Sequence, residues 1–229
     1  MREIVLDTET TGLEPATGDR VVEIGAVELM NHMPTGQTYH QYINPERLMP
    51  KEAFDVHGLG DDFLRDKPRF RDIAPAFLAF IGDATLVIHN APFDMKFLNH
   101  ELAAAGHATM PMTRAFDTVS LARQKYPGSP ASLDALCRRF GIDNSMREKH
   151  GALLDSEILA EVYLELIGGR QPDLTLNPVI QVAGAVAEVT WRPKPRPAPL
   201  PPRLTEAEIL AHAEFVLKLG DAAIWKKRL

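Results

Sequence analysis

Strand-like and helix-like apolar patterns alternate along the first 168 or so residues, and this alternation restricts the possible folds more than any other feature of the sequence. Strands are predicted at residues 3–8, 21–30, 37–43 and 84–89. Helices are predicted at residues 93–105, 118–125 and 133–140, and at a later segment whose apolar stripe is Leu154, Ile158, Val162 and Leu166. Because the strands come first and helices follow, we expect an α/β domain with a mixed sheet flanked by helices.

The character of the sequence changes after Gly169. Residues 192–203 alternate proline with basic and small residues, a composition typical of a stiff, extended linker. Beyond it, Thr205 and Glu208 form a capping-box pattern that predicts a short C-terminal helix. The predicted organisation is a domain at 1–169, a proline-rich linker at 170–203 and a tail at 204–229. A single short helix cannot bury its own apolar face, so the tail is expected to need a partner.

Composition narrows the functional class. The net charge of −6 argues against a protein that grips bulk nucleic acid with a basic surface. It leaves open a protein that touches no nucleic acid, or one that holds only a strand end and relies on metals and a partner. The lone cysteine, Cys137, cannot form an internal disulfide and fits a reducing compartment. No apolar run is long enough for a membrane span, and a cytoplasmic location is expected.

Two carboxylates stand out on the first predicted strand. Asp7 and Glu9 are two residues apart, so their side chains leave the same face of the sheet. Like charges this close need a compensating cation, and Mg²⁺ suits carboxylate oxygens. Alone, the pair is more typical of an exposed strand end than of a metal site. Gly12 follows closely and is expected to let the backbone approach a phosphate-bearing substrate.

Three further residues extend this pattern. Asp94 and Asp155 each lie near the start of a predicted helix, where a carboxylate is also favoured for structural reasons alone. His150 lies in a loop five residues before Asp155, and its imidazole could accept a proton from water, although a loop histidine is often merely solvated. Together, four carboxylates from three segments suit a two-metal site around one phosphodiester.

These residues resemble a known family. Residues 6–13 (LDTETTGL), 89–94 (HNAPFD) and 150–155 (HGALLD) resemble the three motifs of the DEDDh family of 3′→5′ exonucleases, and residues 52–59, 66–68 and 116–118 strengthen the match. The likeness is continuous from residue 1 to about 168. Within the family it is closest to the proofreading members that serve bacterial replicative DNA polymerases.

The resemblance implies a ribonuclease-H-like fold, two divalent ions (Mg²⁺ or Mn²⁺) and stepwise release of nucleoside 5′-monophosphates. Asp7, Glu9, Asp94 and Asp155 would bind the metals and act in catalysis, with His150 as the general base. Residues expected near the terminal nucleotide are Thr8, Thr10, Leu13, Glu52, His57, Asn90 and Phe93. For Leu13 and Phe93, plain core packing is the alternative interpretation.

Two segments after residue 169 indicate binding partners. Residues Gln171 to Leu176 resemble a peptide that docks on a sliding clamp, and residues 204–229, with Trp225, resemble an arm for an alpha-type polymerase subunit. The main hypothesis is therefore a proofreading exonuclease acting on a single-stranded or frayed DNA 3′ end. Two alternatives remain: an RNA 3′-exonuclease of the same superfamily, and a mainly structural polymerase subunit.

Overall fold

The computed structural model describes residues 1–145, 149–169, 204–220 and 224. The chain divides into two compact units, Met1–Leu176 and Asn177–Leu229. The first contains a five-stranded sheet in the order β3-β2-β1-β4-β5. Its strands are β1 (Arg2–Thr10), β2 (Val21–Met30), β3 (Met33–Tyr42), β4 (Thr85–Ile88) and β5 (Ala115–Asp117). Strand β1 pairs antiparallel with β2 and parallel with β4, so the expected mixed sheet is confirmed.

Seven helices flank this sheet within the described part of the first unit. They are α1 (Lys51–His57), α2 (Asp61–Leu64), α3 (Phe70–Ile81), α4 (Ala91–Ala104), α5 (Thr118–Lys125), α6 (Leu133–Phe140) and α7 (Ala152–Leu166). The four predicted helices correspond to α4 through α7. Helices α1 to α3 and strand β5 were not predicted, and β3 begins four residues before its predicted start at residue 37.

The alternation of β1 builds two cores, one on each face of the sheet. Ile4 and Leu6 point to a cluster completed by aromatic residues of α3 and α4. Val5 points the other way, into a cluster completed by α5, α6 and α7. Because successive strand residues face opposite sides, Asp7 and Glu9 follow Val5 toward α7, while Thr8 follows Leu6 toward α4.

Helix α7 approaches the sheet closely at Gly25 of β2, which lies opposite Asp7 in the strand register. A Cβ added to Gly25 would lie 2.1 Å from the backbone nitrogen of Leu153, so only glycine fits there. The Ser156 hydroxyl then donates a 2.9 Å hydrogen bond to the carbonyl of Gly25. This close packing brings the first turn of α7, which carries Asp155, beside the carboxylates of β1.

The second unit contains the predicted C-terminal helix, α8 (Glu206–Lys218). Its capping box forms as expected, with Thr205 and Glu208 exchanging side-chain and backbone hydrogen bonds. Leu210, Phe215 and Leu217 on this helix are exposed. The clamp-like peptide at 171–176, the proline-rich run and Trp225 lie outside the described residues. Among the described helices, none is long and apolar enough to cross a membrane.

Candidate active site

The five residues predicted to be catalytic line one cavity of about 350 Å³, here called the carboxylate cavity. Asp7 and Glu9 reach it from β1, Asp94 from the first turn of α4 and Asp155 from the first turn of α7. His150 reaches it from the loop before α7. The structure therefore brings together, in one place, side chains that are up to 148 positions apart in the sequence.

Asp94 is the most deeply placed of these carboxylates, with 2% of its surface exposed. The Thr8 hydroxyl donates a 2.7 Å hydrogen bond to Oδ1 of Asp94. Burial raises the pKa of Asp94 to about 7, although the hydrogen bond from Thr8 acts in the opposite direction. In the absence of a cation, the ionised form of this carboxyl is therefore costly.

Glu9, His150 and Asp155 offer ligand atoms that all lie within 4.8 Å of one another. Glu9 and Asp155 are buried, whereas His150 is exposed. Buried carboxylate oxygens at this spacing repel one another and are the donors that hard divalent cations prefer. The residues present therefore fit a divalent metal ion, with Asp7 and Asp94 supplying further oxygens on the same cavity.

The His150 imidazole faces Asp155, with 3.3 Å between Nδ1 and Oδ2. Because an ionised carboxylate only accepts hydrogen bonds, this contact favours the tautomer with its proton on Nδ1. In this tautomer of the neutral ring the other nitrogen, Nε2, has a free lone pair, which is what a general base needs.

Helix α1 holds the loop that carries His150. The backbone N–H of His150 donates a 3.3 Å hydrogen bond to the carbonyl of Val56. Beside it, Nζ of Lys149 lies 5.1 Å from the centre of the Phe54 ring, within range of a cation–π interaction. The loop is thus attached to the same helix that lines the adjoining cavity described below.

The loop that precedes α4 is held by Asp117, the last residue of β5. Its Oδ1 accepts hydrogen bonds from the backbone N–H groups of Asn90 (3.1 Å) and Val119 (3.1 Å). Asn90 adopts a left-handed conformation with φ 71°. Burial by itself would raise the pKa of Asp117, but hydrogen bonds from Ser120 and three backbone amides together lower it. A stable carboxylate therefore fixes the turn that aims Asp94.

A second cavity of about 520 Å³, here called the α1 cavity, adjoins the first and shares Thr8, Glu9 and Phe93 with it. Six of the seven predicted substrate-binding residues line it: Thr8, Thr10, Leu13, Glu52, His57 and Phe93. The seventh, Asn90, lines the carboxylate cavity, as Thr8 and Phe93 also do.

Leu13 is 78% exposed, so the alternative of core packing fails for it. Phe93 is half-buried and packs against Phe97, with ring centroids 5.0 Å apart, while still facing both cavities. His57 is buried, and burial lowers its pKa. Its Nδ1 accepts a 3.0 Å hydrogen bond from the Leu59 N–H, which leaves the ring proton on Nε2.

The expected role of Gly12 needs correction. A Cβ at this position would lie 2.3 Å from Oδ2 of Asp19, so the space freed by glycine is filled by a carboxylate of the chain itself. Gly12 still lines the α1 cavity, but its missing side chain serves the packing of its own loop rather than the approach of a phosphate.

Four residues of the carboxylate cavity escaped sequence reasoning: His89, Ser132, Leu133 and Asp134. The last three form the start of α6, where the Ser132 hydroxyl caps the helix by accepting from the Ala135 N–H. The capping serine and the helix could be read from the sequence. Nothing local indicates that this helix end faces Asp7, because that placement depends on tertiary packing.

Comparison with known proteins supports the same interpretation of the fold. The model of the exonuclease family of the RNase T type matches residues 4–163. A protein named DNA polymerase III subunit epsilon from Rickettsia felis is 49% identical over 226 residues, covering 97% of this chain and 99% of the relative. Its namesake from Escherichia coli K12 is 40% identical over 250 residues, covering 98% and 97%.

Among solved structures, the nuclease domain of 3′hExo, a DEDDh family member bound to rAMP, superposes with a TM-score of 0.63. It is 19% identical and covers 72% of this chain and 91% of its own. At that identity the likeness concerns the fold, and it confirms the expected ribonuclease-H-like architecture.

Proposed function

This chain belongs to the exonuclease family, among the DNA polymerase III epsilon subunits, and we propose that its carboxylate cavity and α1 cavity together remove mispaired nucleotides from a DNA 3′ end. The chain is a 3′→5′ exonuclease of the proofreading type. The observation that carries the assignment of the site is the convergence of Asp7, Glu9, Asp94, His150 and Asp155 on one cavity.

Asp7, Glu9, Asp94 and Asp155 would hold two divalent ions, Mg²⁺ or Mn²⁺. When bound, such ions neutralise the phosphodiester and lower the pKa of the attacking water. His150 accepts the proton of that water at Nε2, while Asp155 stabilises the imidazolium that forms. The water oxygen bonds to phosphorus as the bond to the 3′-oxygen of the preceding nucleotide breaks. That oxygen takes a proton from solvent to become the new 3′-hydroxyl end, and a nucleoside 5′-monophosphate leaves.

The α1 cavity takes the terminal nucleotide. Leu13 offers an exposed apolar surface to a base, and the half-buried Phe93 lies where the two cavities meet. His57 and Glu52 supply polar groups on the α1 side. A frayed end can enter such a cavity, whereas a paired end must first unstack, and this difference favours mispaired termini.

A primer-degradation assay tests this function. A 5′-labelled DNA primer with a mispaired 3′ end is incubated with and without Mg²⁺, using the wild type, Asp155→Asn and Glu161→Gln. Glu161 is an exposed acid on the same helix as Asp155 and serves as the matched control. The expected result is metal-dependent, stepwise shortening of the labelled primer from its 3′ end by the wild type and Glu161→Gln, with a loss of about 10³-fold or more in Asp155→Asn.

Three other outcomes would contradict this assignment of function or of the site. Degradation of an RNA primer in preference to the DNA primer would favour the RNA 3′-exonuclease. Equal activity of Asp155→Asn and Glu161→Gln would remove Asp155 from the site. Inactivity on both nucleic acids would leave a mainly structural polymerase subunit.

The tail is proposed to bind an alpha-type polymerase subunit in the cytoplasm through residues 204–229. The support is the capped helix α8, whose exposed Leu210, Phe215 and Leu217 offer apolar surface to a partner. Tethering would raise the local concentration of primer ends and so explain a nuclease with net charge −6. We expect Phe215→Glu to lose co-purification with that subunit while it degrades free primer at the wild-type rate. Docking of residues 171–176 on a sliding clamp stays a prediction.

A further inference from the structure

A shallow groove of about 470 Å³ lies on helix α6, apart from the two cavities, and is lined by Pro130, Ala135, Arg138 and Arg139. Here it is called the α6 groove. In the sequence, the residues that line the groove lie on both sides of residues 132–134, which line the carboxylate cavity. Asp134 and Arg138 are four residues apart on one helix and are therefore neighbours on its surface. The beginning of α6 therefore contributes residues both to the carboxylate cavity and to the α6 groove.

The two arginines give this groove a positive charge. Arg139 is held in place, with its guanidinium 4.2 Å from the centre of the Tyr126 ring and Nη2 donating a 3.0 Å hydrogen bond to Ser129 Oγ. Arg138 is exposed and has no ion-pair partner in the part of the chain that the structure describes. None of the four lining residues is acidic, whereas the neighbouring cavity gathers carboxylates.

The arrangement of the cavities gives a direction to the substrate strand. Of these two cavities, the α1 cavity is the one that residues of α1 line, and the carboxylate cavity is the one that the start of α6 lines. If the terminal nucleotide occupies the α1 cavity and its phosphate meets the carboxylates, the rest of the strand must leave on another side. The wall formed by residues 132–134 is such a side, and the residues that line the α6 groove flank this segment in the chain.

We propose that the α6 groove binds the backbone phosphates of the single DNA strand that leads to the terminal nucleotide, with Arg138 and Arg139 as the phosphate contacts. The inference rests on the proposed function, because that function sets where the strand ends. Guanidinium groups pair well with phosphate oxygens, and the fixed geometry of Arg139 reduces the entropy lost on binding. Two such contacts give an acidic protein a local hold on a strand without general affinity for nucleic acid.

The test measures binding of a 5′-fluorescein dT₁₂ strand by anisotropy, in EDTA, over a range of NaCl concentrations. The full-length wild type is compared with Arg138→Gln/Arg139→Gln, with Arg139→Lys and with the control Arg71→Gln. Arg71 is exposed on α3, none of whose residues lines the cavities or the groove. Each phosphate contact contributes about 0.7 to the slope of log K against log salt for a single strand. We therefore expect the double variant to lose about 1.4 from that slope, and Arg139→Lys and Arg71→Gln to keep it.

A second measurement separates this groove from the site itself. Hydrolysis of a dinucleotide, which is too short to reach the groove, is followed with Mg²⁺. The double variant should cleave it at the wild-type kcat/KM, while its KM for dT₁₂ rises several-fold.

An unchanged salt slope in the double variant would overturn the proposal, as would an equal loss of activity on the dinucleotide. If the wild type fails to cleave any substrate, the proposed function fails. The salt slope, measured without metal, still decides whether the α6 groove binds a strand.

Discussion

Replacing Asp94 by asparagine should stabilise the metal-free protein while abolishing its activity. Asparagine has nearly the same shape, and its side-chain oxygen can still accept the hydrogen bond from Thr8. What the variant lacks is a carboxyl that must ionise in a buried position. Burial raises the pKa of Asp94 to about 7, whereas an aspartate in an unfolded chain has a pKa of about 3.9.

The sign of the effect follows from proton linkage. Because the pKa is higher in the folded state, the contribution of Asp94 to the free energy of unfolding is fully present below about pH 4 and is lost as pH rises through about 7. At about 1.36 kcal/mol per pKa unit, ionisation of Asp94 lowers the free energy of unfolding of the wild type by about 4 kcal/mol at pH 8 and by about 1.5 kcal/mol at pH 5. The advantage of Asp94→Asn should therefore be about 2.5 kcal/mol larger at pH 8 than at pH 5.

Urea unfolding in EDTA at both pH values measures this difference, with Asp83→Asn as the control because Asp83 is exposed and outside both cavities. Adding Mg²⁺ at pH 8 should raise the free energy of unfolding of the wild type and leave Asp94→Asn nearly unchanged, since only the wild type retains the full ligand set. An Asp94→Asn protein that is less stable than the wild type at pH 8, or whose advantage is the same at both pH values, would refute the reasoning.

Three further substitutions test how the fold positions the site. Gly25→Ala would drive a methyl group into the backbone at Leu153. We expect urea unfolding to show a loss of about 1–3 kcal/mol in the free energy of unfolding, together with reduced kcat. An unchanged unfolding midpoint would contradict the close approach of α7. Asp117→Ala leaves the N–H groups of Asn90 and Val119 without their acceptor. We expect a loss of about 1–3 kcal/mol in the free energy of unfolding, with lower activity. Wild-type values in both assays would show that another group holds the loop. Lys149→Met removes the cation next to the Phe54 ring and should lower kcat about 2- to 5-fold at constant KM. Lys149→Arg keeps a cation there and should have the wild-type kcat. No difference between the two variants would rule out the cation–π contact as the anchor of the loop.

The sequence identifies the residues of the carboxylate cavity better than it identifies the surrounding helices. Asp7 and Glu9 could be predicted because two charges interrupt an otherwise apolar strand at a spacing of two. Helix α3 (Phe70–Ile81) could not, since Pro75 lies inside it and a proline is normally read as a break. Helix α1 spans only seven residues and has no side-chain cap, which leaves it without a start signal.

The missed helices explain why the shape of the α1 cavity could not be predicted from the sequence. Glu52 and His57 were named through a resemblance, but the cavity they form with Leu13 depends on α1 packing against a loop almost 40 positions earlier. The α6 groove is similar. In the sequence its arginines look like an ordinary solvated helix face, and only the fold shows that the start of α6 lines the same cavity as Asp7. Long-range packing, rather than any local pattern, determines both features.

The central position of β1 in the sheet determines its register, and the register determines the face on which Asp7 and Glu9 lie. A slip of one residue in a strand exchanges its two faces, which would turn Asp7 and Glu9 toward α4 and Thr8 toward α7. Strand β1 is paired on both sides, antiparallel with β2 and parallel with β4, so a slip would break its register with both neighbours. Edge strand β3 is paired on one side only and has mostly exposed side chains, so its register is less constrained. The proposed metal site, with Asp7 and Glu9 on one face and Thr8 on the other, is therefore placed on a strand whose register both neighbours determine.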